Sequence, residues 1–173
     1  MEKVTGGSRP AKDNSRDAVR AGKYLTFLLG SESYGIDIMK VQEIIGIMAI
    51  TRVPRTPDFI RGVINLRGKV IPVIDLRLRF GMSGAETTGR TCVIVVRLYQ
   101  NDSPVTTGLV VDAVSEVLAI KAEQIDDSPS FGESVNTDYI QGMGKCGGKV
   151  VMLLDIDWVL SREEISIVAQ AAN

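Results

Sequence analysis

The feature that most constrains how this chain folds is that its sequence repeats itself. Residues 35–44 align with residues 108–117 at an offset of 73 (108 − 35). Further along, residues 60–75 align with residues 140–155 at an offset of 80 (140 − 60). Identical residues fall at Gly62/Gly142, Gly68/Gly148 and Asp75/Asp155. Two blocks in the same order indicate duplicated units, so we predict two related lobes, with a longer loop around residues 126–136 in the second.

Local patterns predict that both lobes are built from β-strands. Short segments rich in Val, Ile and Leu are separated by Gly, Pro, Asn and Ser, as expected for strands joined by turns. The predicted strands span residues 23–29, 33–38, 69–75, 91–98, 108–111 and 150–156, with turns at 30–33 and 101–104. Many short strands of this kind favour small β-barrels over a parallel α/β sheet.

Two helical elements are also predicted. Val41, Ile44 and Ile45 fall at i, i+3 and i+4, which predicts a short helical turn after residue 38. Ser161 and Glu164 have the spacing of a capping box, which predicts a helix at the start of a C-terminal segment, residues 161–173.

The composition weighs against several classes of function. The 20 Lys and Arg residues are balanced by 21 Asp and Glu residues, for a net charge of −1, and aromatic residues make up only 5% of the chain. A small-barrel RNA binder is an alternative, but it needs a basic groove and exposed aromatic rings for stacking, and the composition offers little of either. The chain has no His, which removes the commonest general base and the commonest metal ligand.

The ends of the chain and its cysteines suggest a cytoplasmic protein. Residues 1–21 mix charged and polar residues without an apolar centre, which predicts a disordered tail instead of a secretory signal. No apolar run approaches the ~20 residues of a spanning helix, so we predict no direct membrane insertion. Cys92 and Cys146 are the only cysteines, and we interpret them as reduced thiols.

No motif for catalysis, a cofactor or a metal ion is present, so the chain is predicted to be non-enzymatic with no cofactor. Asp75 and Asp155 each end a predicted strand, where a carboxylate can accept backbone N–H groups in a turn. The alternative is an enzyme that uses these two carboxylates. Their occurrence in both halves favours the structural interpretation, because catalysis rarely needs the same residue in both lobes.

The differences between the halves indicate where a site could lie. Arg67 stands at a predicted turn where the second half has Gly147, and an Arg at an exposed turn is a common anchor in protein interfaces. Glu43 has a counterpart in Glu116, but a Glu43–Arg67 ion pair is possible in the first half alone. A cluster of arginines in the same lobe could bind an acidic partner or form a solvated face: Arg52, Arg55, Arg61, Arg67, Arg77 and Arg79.

These residues resemble a known family. Residues 34–38 (YGIDI), 41–44 (VQEI) and 59–77 (FIRGVINLRGKVIPVIDLR) are similar to the bacterial chemotaxis coupling proteins of the CheW family. The second half adds residues 108–112 (GLVVD) and 139–142 (YIQG). The resemblance runs in family order from about residue 22 to residue 164.

The resemblance implies a fold of two five-stranded, SH3-like β-barrel lobes with a groove between them. It divides the chain into the tail, a CheW-like domain at residues 22–160 and the C-terminal segment. Within the domain we place one lobe at about 22–83 and the other at about 84–160, with strand exchange between them possible.

The resemblance also implies a function. Members of the family are cytoplasmic adaptors that couple chemoreceptors (methyl-accepting chemotaxis proteins), through the receptor's cytoplasmic tip, to the regulatory domain of the histidine kinase CheA, and they are recruited to membrane-associated receptor arrays. Carried onto this chain, it implies that Val41, Glu43, Gly62, Asn65 and Arg67 lie at or near partner-binding surfaces. The alternative is a coupling protein of a non-flagellar chemosensory pathway, such as one controlling pili.

Overall fold

The structure, a computed structural model, describes residues 21–100, 103–127 and 139–171. The predicted tail and the long loop around 126–136 lie mostly outside the described residues, as do residues 101 and 102 of the predicted turn at 101–104. Within these ranges the chain forms eleven strands and two α-helices. The strands are β1 (Gly22–Leu29), β2 (Glu32–Asp37), β3 (Val41–Gly46), β4 (Ile60–Leu66), β5 (Lys69–Asp75), β6 (Cys92–Gln100), β7 (Ser103–Val111), β8 (Ala113–Ile120), β9 (Ile125–Asp126), β10 (Ile140–Cys146) and β11 (Lys149–Leu154), and the helices are α1 (Leu76–Arg79) and α2 (Arg162–Ala171).

The strands form two sheets, and each sheet draws on both halves of the chain. Sheet 1 has the order β8-β1-β2-β11-β10-β9, and sheet 2 has the order β3-β6-β7-β5-β4. The N-terminal hairpin β1–β2 therefore completes a sheet of C-terminal strands, and the central hairpin β6–β7 completes a sheet of strands from the first half. The predicted mostly-β fold is confirmed, and sheet 1 carries β9 as a short sixth strand.

The sequence repeat is visible in the strand registers. The parallel pair β5–β7 places Val73 opposite Gly108, and the parallel pair β11–β2 places Leu153 opposite Gly35, which are the equivalent residues. The hairpins β4–β5 and β10–β11 share a β-bulge just before Gly62 and Gly142, respectively. The duplication predicted from the sequence is thus confirmed, and the two units exchange their first hairpins.

The exchange crosses the predicted lobe boundary near residue 84. Residues 22–37 pair within sheet 1, although the sequence places them in the first lobe. The division into lobes at 22–83 and 84–160 stays a prediction, as does the closure of each sheet into a barrel.

The predicted helical turn was placed too far along the chain. One turn of 3₁₀ helix covers Ile38–Lys40, and Val41–Gly46 is strand β3, paired with β6. Burial alternates along β3, with Ile44 43% exposed between half-buried neighbours, so Val41, Ile44 and Ile45 do not share one face. Hydrogen bonding to β6 decides the structure here, and the helical spacing was a coincidence. The predicted strands also omitted β4, β8 and β10, in which Gly or polar residues interrupt the apolar pattern, and the two-residue strand β9.

Hydrophobic residues pack in three layers. A shared core fills the space between the sheets and includes Phe27, Ile36, Ile94 and Leu109, each at most 2% exposed. The opposite face of each sheet has its own smaller core, around Val93 and Val95 in sheet 2 and around Val151 and Leu153 in sheet 1. Strands such as β1 are therefore buried on both faces, which explains their nearly continuous apolar sequence.

Helix α2 closes the shared core. Its capping box is formed as predicted, because the Ser161 N–H donates to Glu164 Oε1 at 2.7 Å and the Glu164 N–H donates to Ser161 Oγ at 3.1 Å. Ile165 and Val168 are buried in the shared core. The helix follows sheet 1 in the chain but packs against sheet 2, so it fastens the two sheets together.

Candidate partner-binding site

The candidate site is built on the tight turn between β4 and β5. Arg67 and Gly68, the two residues of that turn, both have positive φ, at 53° and 88°. Two-residue hairpin loops with positive φ at both positions match the right-handed twist of their strands. Asn65 Oδ1 accepts a hydrogen bond from the Gly68 N–H at 2.8 Å, which holds the turn closed. The turn is exposed, so the Arg67 side chain is presented to solvent.

The equivalent turn between β10 and β11 has the same backbone but different residues. Gly147 and Gly148 have φ values of 58° and 82°. Glycine adopts this conformation readily, whereas a residue with a Cβ does so at a cost. Arg67 therefore occupies a position for which the fold itself favours glycine, and a strained residue kept in such a place points to a role outside the fold.

Glu43 and Arg67 form the predicted ion pair. Arg67 Nη1 donates to Glu43 Oε1 at 3.1 Å, and Arg67 Nη2 donates to Glu43 Oε2. This two-point geometry fixes the plane of the guanidinium group. The hydrogen bonds from Arg67 hold the pKa of the Glu43 carboxyl below its usual range, and the same pairing raises the pKa of Arg67. The Arg67 side chain is still 68% exposed, so it is oriented without being covered.

The ion pair also joins the two edges of sheet 2. Glu43 lies on β3 and Arg67 follows β4, and these are the edge strands of the five. Thr51, in the segment that follows β3, adds a backbone connection to β4 through hydrogen bonds of 2.9 and 2.8 Å with Val63. The sheet must therefore curl to bring its edges together, as closure of a barrel requires.

Gly62 and Val41 lie apart from this exposed cluster. Gly62 is buried, and a Cβ at that position would lie 2.1 Å from the carbonyl oxygen of Thr51. Because Gly62 has no side chain, the backbone of Thr51 can approach and bond to Val63, so Gly62 has a structural role. Val41 packs against the shared core. Of the five predicted contact residues, the structure brings together Glu43, Asn65 and Arg67. Contact with a partner stays a prediction for all five.

A cleft of about 310 Å³ opens beside the ion pair at one end of sheet 2. The sequence analysis missed its further polar residues. The alternation of side chains along β5 and β6 shows which face of its strand each residue lies on, but it does not show that the strands bring these residues together. The cleft is lined by Gln42, Glu43, Leu66, Arg67, Lys69, Ile71, Val95, Arg97 and Thr106.

Three of the six arginines in the predicted cluster form ion pairs that link separate elements of the fold. Arg61 pairs with Asp75 at 3.1 Å, Arg77 with Asp112 at 2.6 Å and Arg79 with Glu164 at 3.2 Å. These ion pairs link helices and strand ends, so these three arginines have a structural role. Arg67 differs from them in the exposure of its side chain.

The two strand-ending aspartates accept backbone hydrogen bonds, as predicted. Asp75 Oδ1 accepts from the N–H of Arg77 at 2.9 Å, and Asp155 Oδ1 accepts from the N–H of Asp157 at 3.1 Å. Each carboxylate thus caps the short helix that follows its own strand. In the described part of the chain, no group of three or more Cys, Asp or Glu residues could hold a metal ion.

The fold and the site together define a class of protein: a duplicated, strand-exchanged β module that presents an oriented arginine on an exposed hairpin. No helix in the described ranges is long and apolar enough to cross a membrane.

Comparisons with known proteins identify the family. The CheW-like domain matches residues 23–164. The chain is 46% identical to the chemotaxis protein CheW of Klebsiella aerogenes, over 87% of this chain and 89% of that protein. It is 36% identical to CheW of Helicobacter pylori, over 82% of both chains. The crystal structure of the scaffolding protein TtCheW from Thermoanaerobacter tengcongensis superposes with a TM-score of 0.71 at 36% identity, covering 80% of this chain and 92% of that one.

The chain belongs to the CheW-like family. Its function is therefore that of a chemotaxis coupling adaptor, and the alternative of a non-flagellar pathway is not favoured.

Proposed function

We propose that this adaptor works in the cytoplasm by binding both the regulatory domain of the histidine kinase CheA and the cytoplasmic tip of chemoreceptors, and that it catalyses no reaction. The observation that carries the proposal is Arg67, which is exposed, fixed by Glu43 and placed at a turn position where the other half of the fold has glycine. Such an arginine suits a partner contact because its orientation is settled before binding, so less side-chain entropy is lost on association.

Coupling in this proposal is thermodynamic. An adaptor that holds receptor and kinase in one assembly lets a change in receptor conformation alter the population of the active kinase. Each contact can be modest, because repeated contacts in a membrane-associated array add avidity. We propose that Glu43, Asn65 and Arg67 form the exposed contact, with Gly62 shaping the hairpin beneath it and Val41 close by on β3.

The test is kinase autophosphorylation in a reconstituted mixture of CheA and chemoreceptor fragments. We expect the wild-type chain to stimulate the kinase and folded Arg67→Asp to lose most of that stimulation. The matched control is Lys149→Asp, which reverses an exposed cation on the equivalent hairpin of sheet 1, and it should retain stimulation. No stimulation and no co-sedimentation of the wild-type chain with either partner would contradict the proposed function.

A double-mutant cycle tests whether the ion pair itself matters for binding. If Glu43 acts by orienting Arg67, then Glu43→Ala and Arg67→Ala should each weaken partner binding, and the double variant should lose little more than Arg67→Ala alone. Additive losses would show that the two residues act separately.

A further inference from the structure

The rim of the cleft beside the ion pair carries more positive than negative charge. Arg67, Lys69 and Arg97 are its three cations, and Glu43 is its one carboxylate. Glu43 is already paired with Arg67. In the part of the chain that the structure describes, neither Lys69 nor Arg97 forms an ion pair, and both residues are exposed.

Strand geometry explains why these cations converge. Side chains two residues apart on a strand lie on the same face. Lys69 is two residues from Ile71 on β5, and Arg97 is two residues from Val95 on β6, so each cation continues a buried apolar row to the open end of the sheet. The smaller core of sheet 2 therefore ends at the cleft, where Leu66, Ile71 and Val95 lie beside the three cations.

The Gln42 side chain holds the Arg97 guanidinium without neutralising it. In the amide orientation that satisfies both residues, the Gln42 side-chain oxygen accepts from Arg97 Nε at 2.7 Å and from Arg97 Nη2 at 3.1 Å. A neutral amide orients the guanidinium group but leaves its positive charge available. Since the fork of Arg97 has five N–H donors, others remain for a ligand.

The other sheet lacks this arrangement. The repeat and the strand registers place Gly147, Lys149 and Leu28 of sheet 1 at the positions of Arg67, Lys69 and Arg97 of sheet 2. The equivalent position to Leu66 is Cys146. One cation of three is therefore common to both sheets, and the other two occur in sheet 2 alone. The fold therefore does not require this group of three cations.

We propose that this cleft receives an aspartate or glutamate side chain of a protein partner, with an adjacent apolar side chain of the same partner packing against Leu66 and Ile71. The inference rests on the proposed function, because it assigns a chemistry to the surface that binds the adaptor's partners. The unpaired cations surround one small cleft and do not form a linear track, which suits a single side chain better than a phosphate backbone. The cleft volume of about 310 Å³ is at the small end for ligand pockets and holds one or two side chains.

The test measures binding of receptor-tip fragments and of the CheA regulatory domain at low and moderate salt. We expect Lys69→Glu/Arg97→Glu to bind at least one partner about tenfold more weakly, with a smaller salt dependence than wild type, because two attractive contacts become repulsive. Single Lys69→Glu should also weaken binding. Its matched control is Lys149→Glu, the same single reversal at the equivalent position in sheet 1, which should bind within about twofold of wild type. Neutral Lys69→Gln/Arg97→Gln should fall between wild type and the double reversal.

The outcomes separate this inference from the proposed function. If wild type binds its partners and the double reversal binds equally well, the acidic-contact inference is overturned and the proposed function stands. An equal loss of binding in Lys149→Glu would also overturn it, because the loss would then come from the net charge of the protein and not from a contact at this cleft. Rescue of Lys69→Glu/Arg97→Glu by an acidic-to-Lys change in the partner would support it. Failure of wild type to bind either partner would overturn both.

Discussion

The hairpins β4–β5 and β10–β11 have the same registers, the same bulge and the same pair of positive φ angles at their turns. They differ in what they present: the first carries Arg67 beside a cationic cleft, and the second carries Gly147. The comparison separates two kinds of residue. Those that both hairpins share are explained by the fold, and those that only one has are candidates for binding. Four predictions test that separation, beginning with the largest expected effect.

Cutting the chain between the repeats tests the strand exchange. Fragments 1–88 and 89–173 each hold two strands of one sheet and three or more of the other. Each alone lacks partners for both sheets, so we expect no cooperative unfolding transition from either fragment in urea. An equimolar mixture should recover the β-sheet circular dichroism and a single transition. A cooperative transition from either isolated fragment would contradict the exchange.

Equivalent glycines of the two parallel strand pairs should differ in their tolerance of a methyl group. A Cβ on Gly108 would lie 2.6 Å from Val93 Cγ1, whereas one on Gly35 would lie 3.3 Å from its nearest neighbours, Leu153 Cδ2 and Val151 Cγ1. Overpacking of a rigid core costs about 1–3 kcal/mol. We expect Gly108→Ala to lower the free energy of unfolding by about 2–3 kcal/mol and Gly35→Ala by about 1 kcal/mol, measured by urea denaturation. Equal losses would mean that the two strand pairs are equally packed.

The two turn positions should respond to substitution in opposite directions. Gly147→Ala places a Cβ at a φ of 58° and should lower the free energy of unfolding by about 1 kcal/mol. Arg67→Gly relieves the same kind of strain but also removes the exposed ion pair with Glu43, which is worth little at the surface. Its stability should therefore be no lower than that of wild type, while its binding to partners falls. Denaturation and binding measured on the same samples check both halves of the prediction. A clearly destabilised Arg67→Gly would show that the arginine serves the fold.

The smallest effect concerns pH and the Glu43–Arg67 pair. The pKa of Glu43 is lowered in the folded state from its ordinary value of 4.5, first by the hydrogen bonds from Arg67. A depressed carboxyl pKa contributes stability above the unfolded value, and that contribution is lost as the pH falls through the folded value. The stability gap between wild type and Glu43→Gln should therefore be constant near neutral pH and close progressively below about pH 4.5. Glu116→Gln is the matched control, and a Glu43→Gln gap that persists in acid would contradict the role of the ion pair.

The internal repeat accounts for most of what could be predicted about the site. Aligning the halves predicted the structural role of Asp75 and Asp155, and the mismatch at Arg67 identified the exposed turn and its pairing with Glu43. The helical turn predicted over Val41–Ile45 failed because periodicity within one segment does not report which strand lies beside it. Lys69 and Arg97 were missed for a similar reason. Their convergence depends on the order of strands in sheet 2, which local sequence patterns do not contain.

The sequence by itself determined the duplicated β architecture, the family and the residue that distinguishes one hairpin from the other. The β architecture follows from local alternation and turn chemistry, and the duplication and the distinguishing arginine follow from comparing the two halves. The family follows from the resemblance of residues 34–44 and 59–77 to its motifs. Only the tertiary structure decided that the units exchange hairpins and that cations 28 residues apart (97 − 69) line one cleft. A strand edge with unpaired N–H and C=O groups is stabilised by pairing with any complementary edge that lies beside it. In a duplicated chain the two candidate edges have nearly the same pattern, so the choice between them is made by packing across the whole molecule.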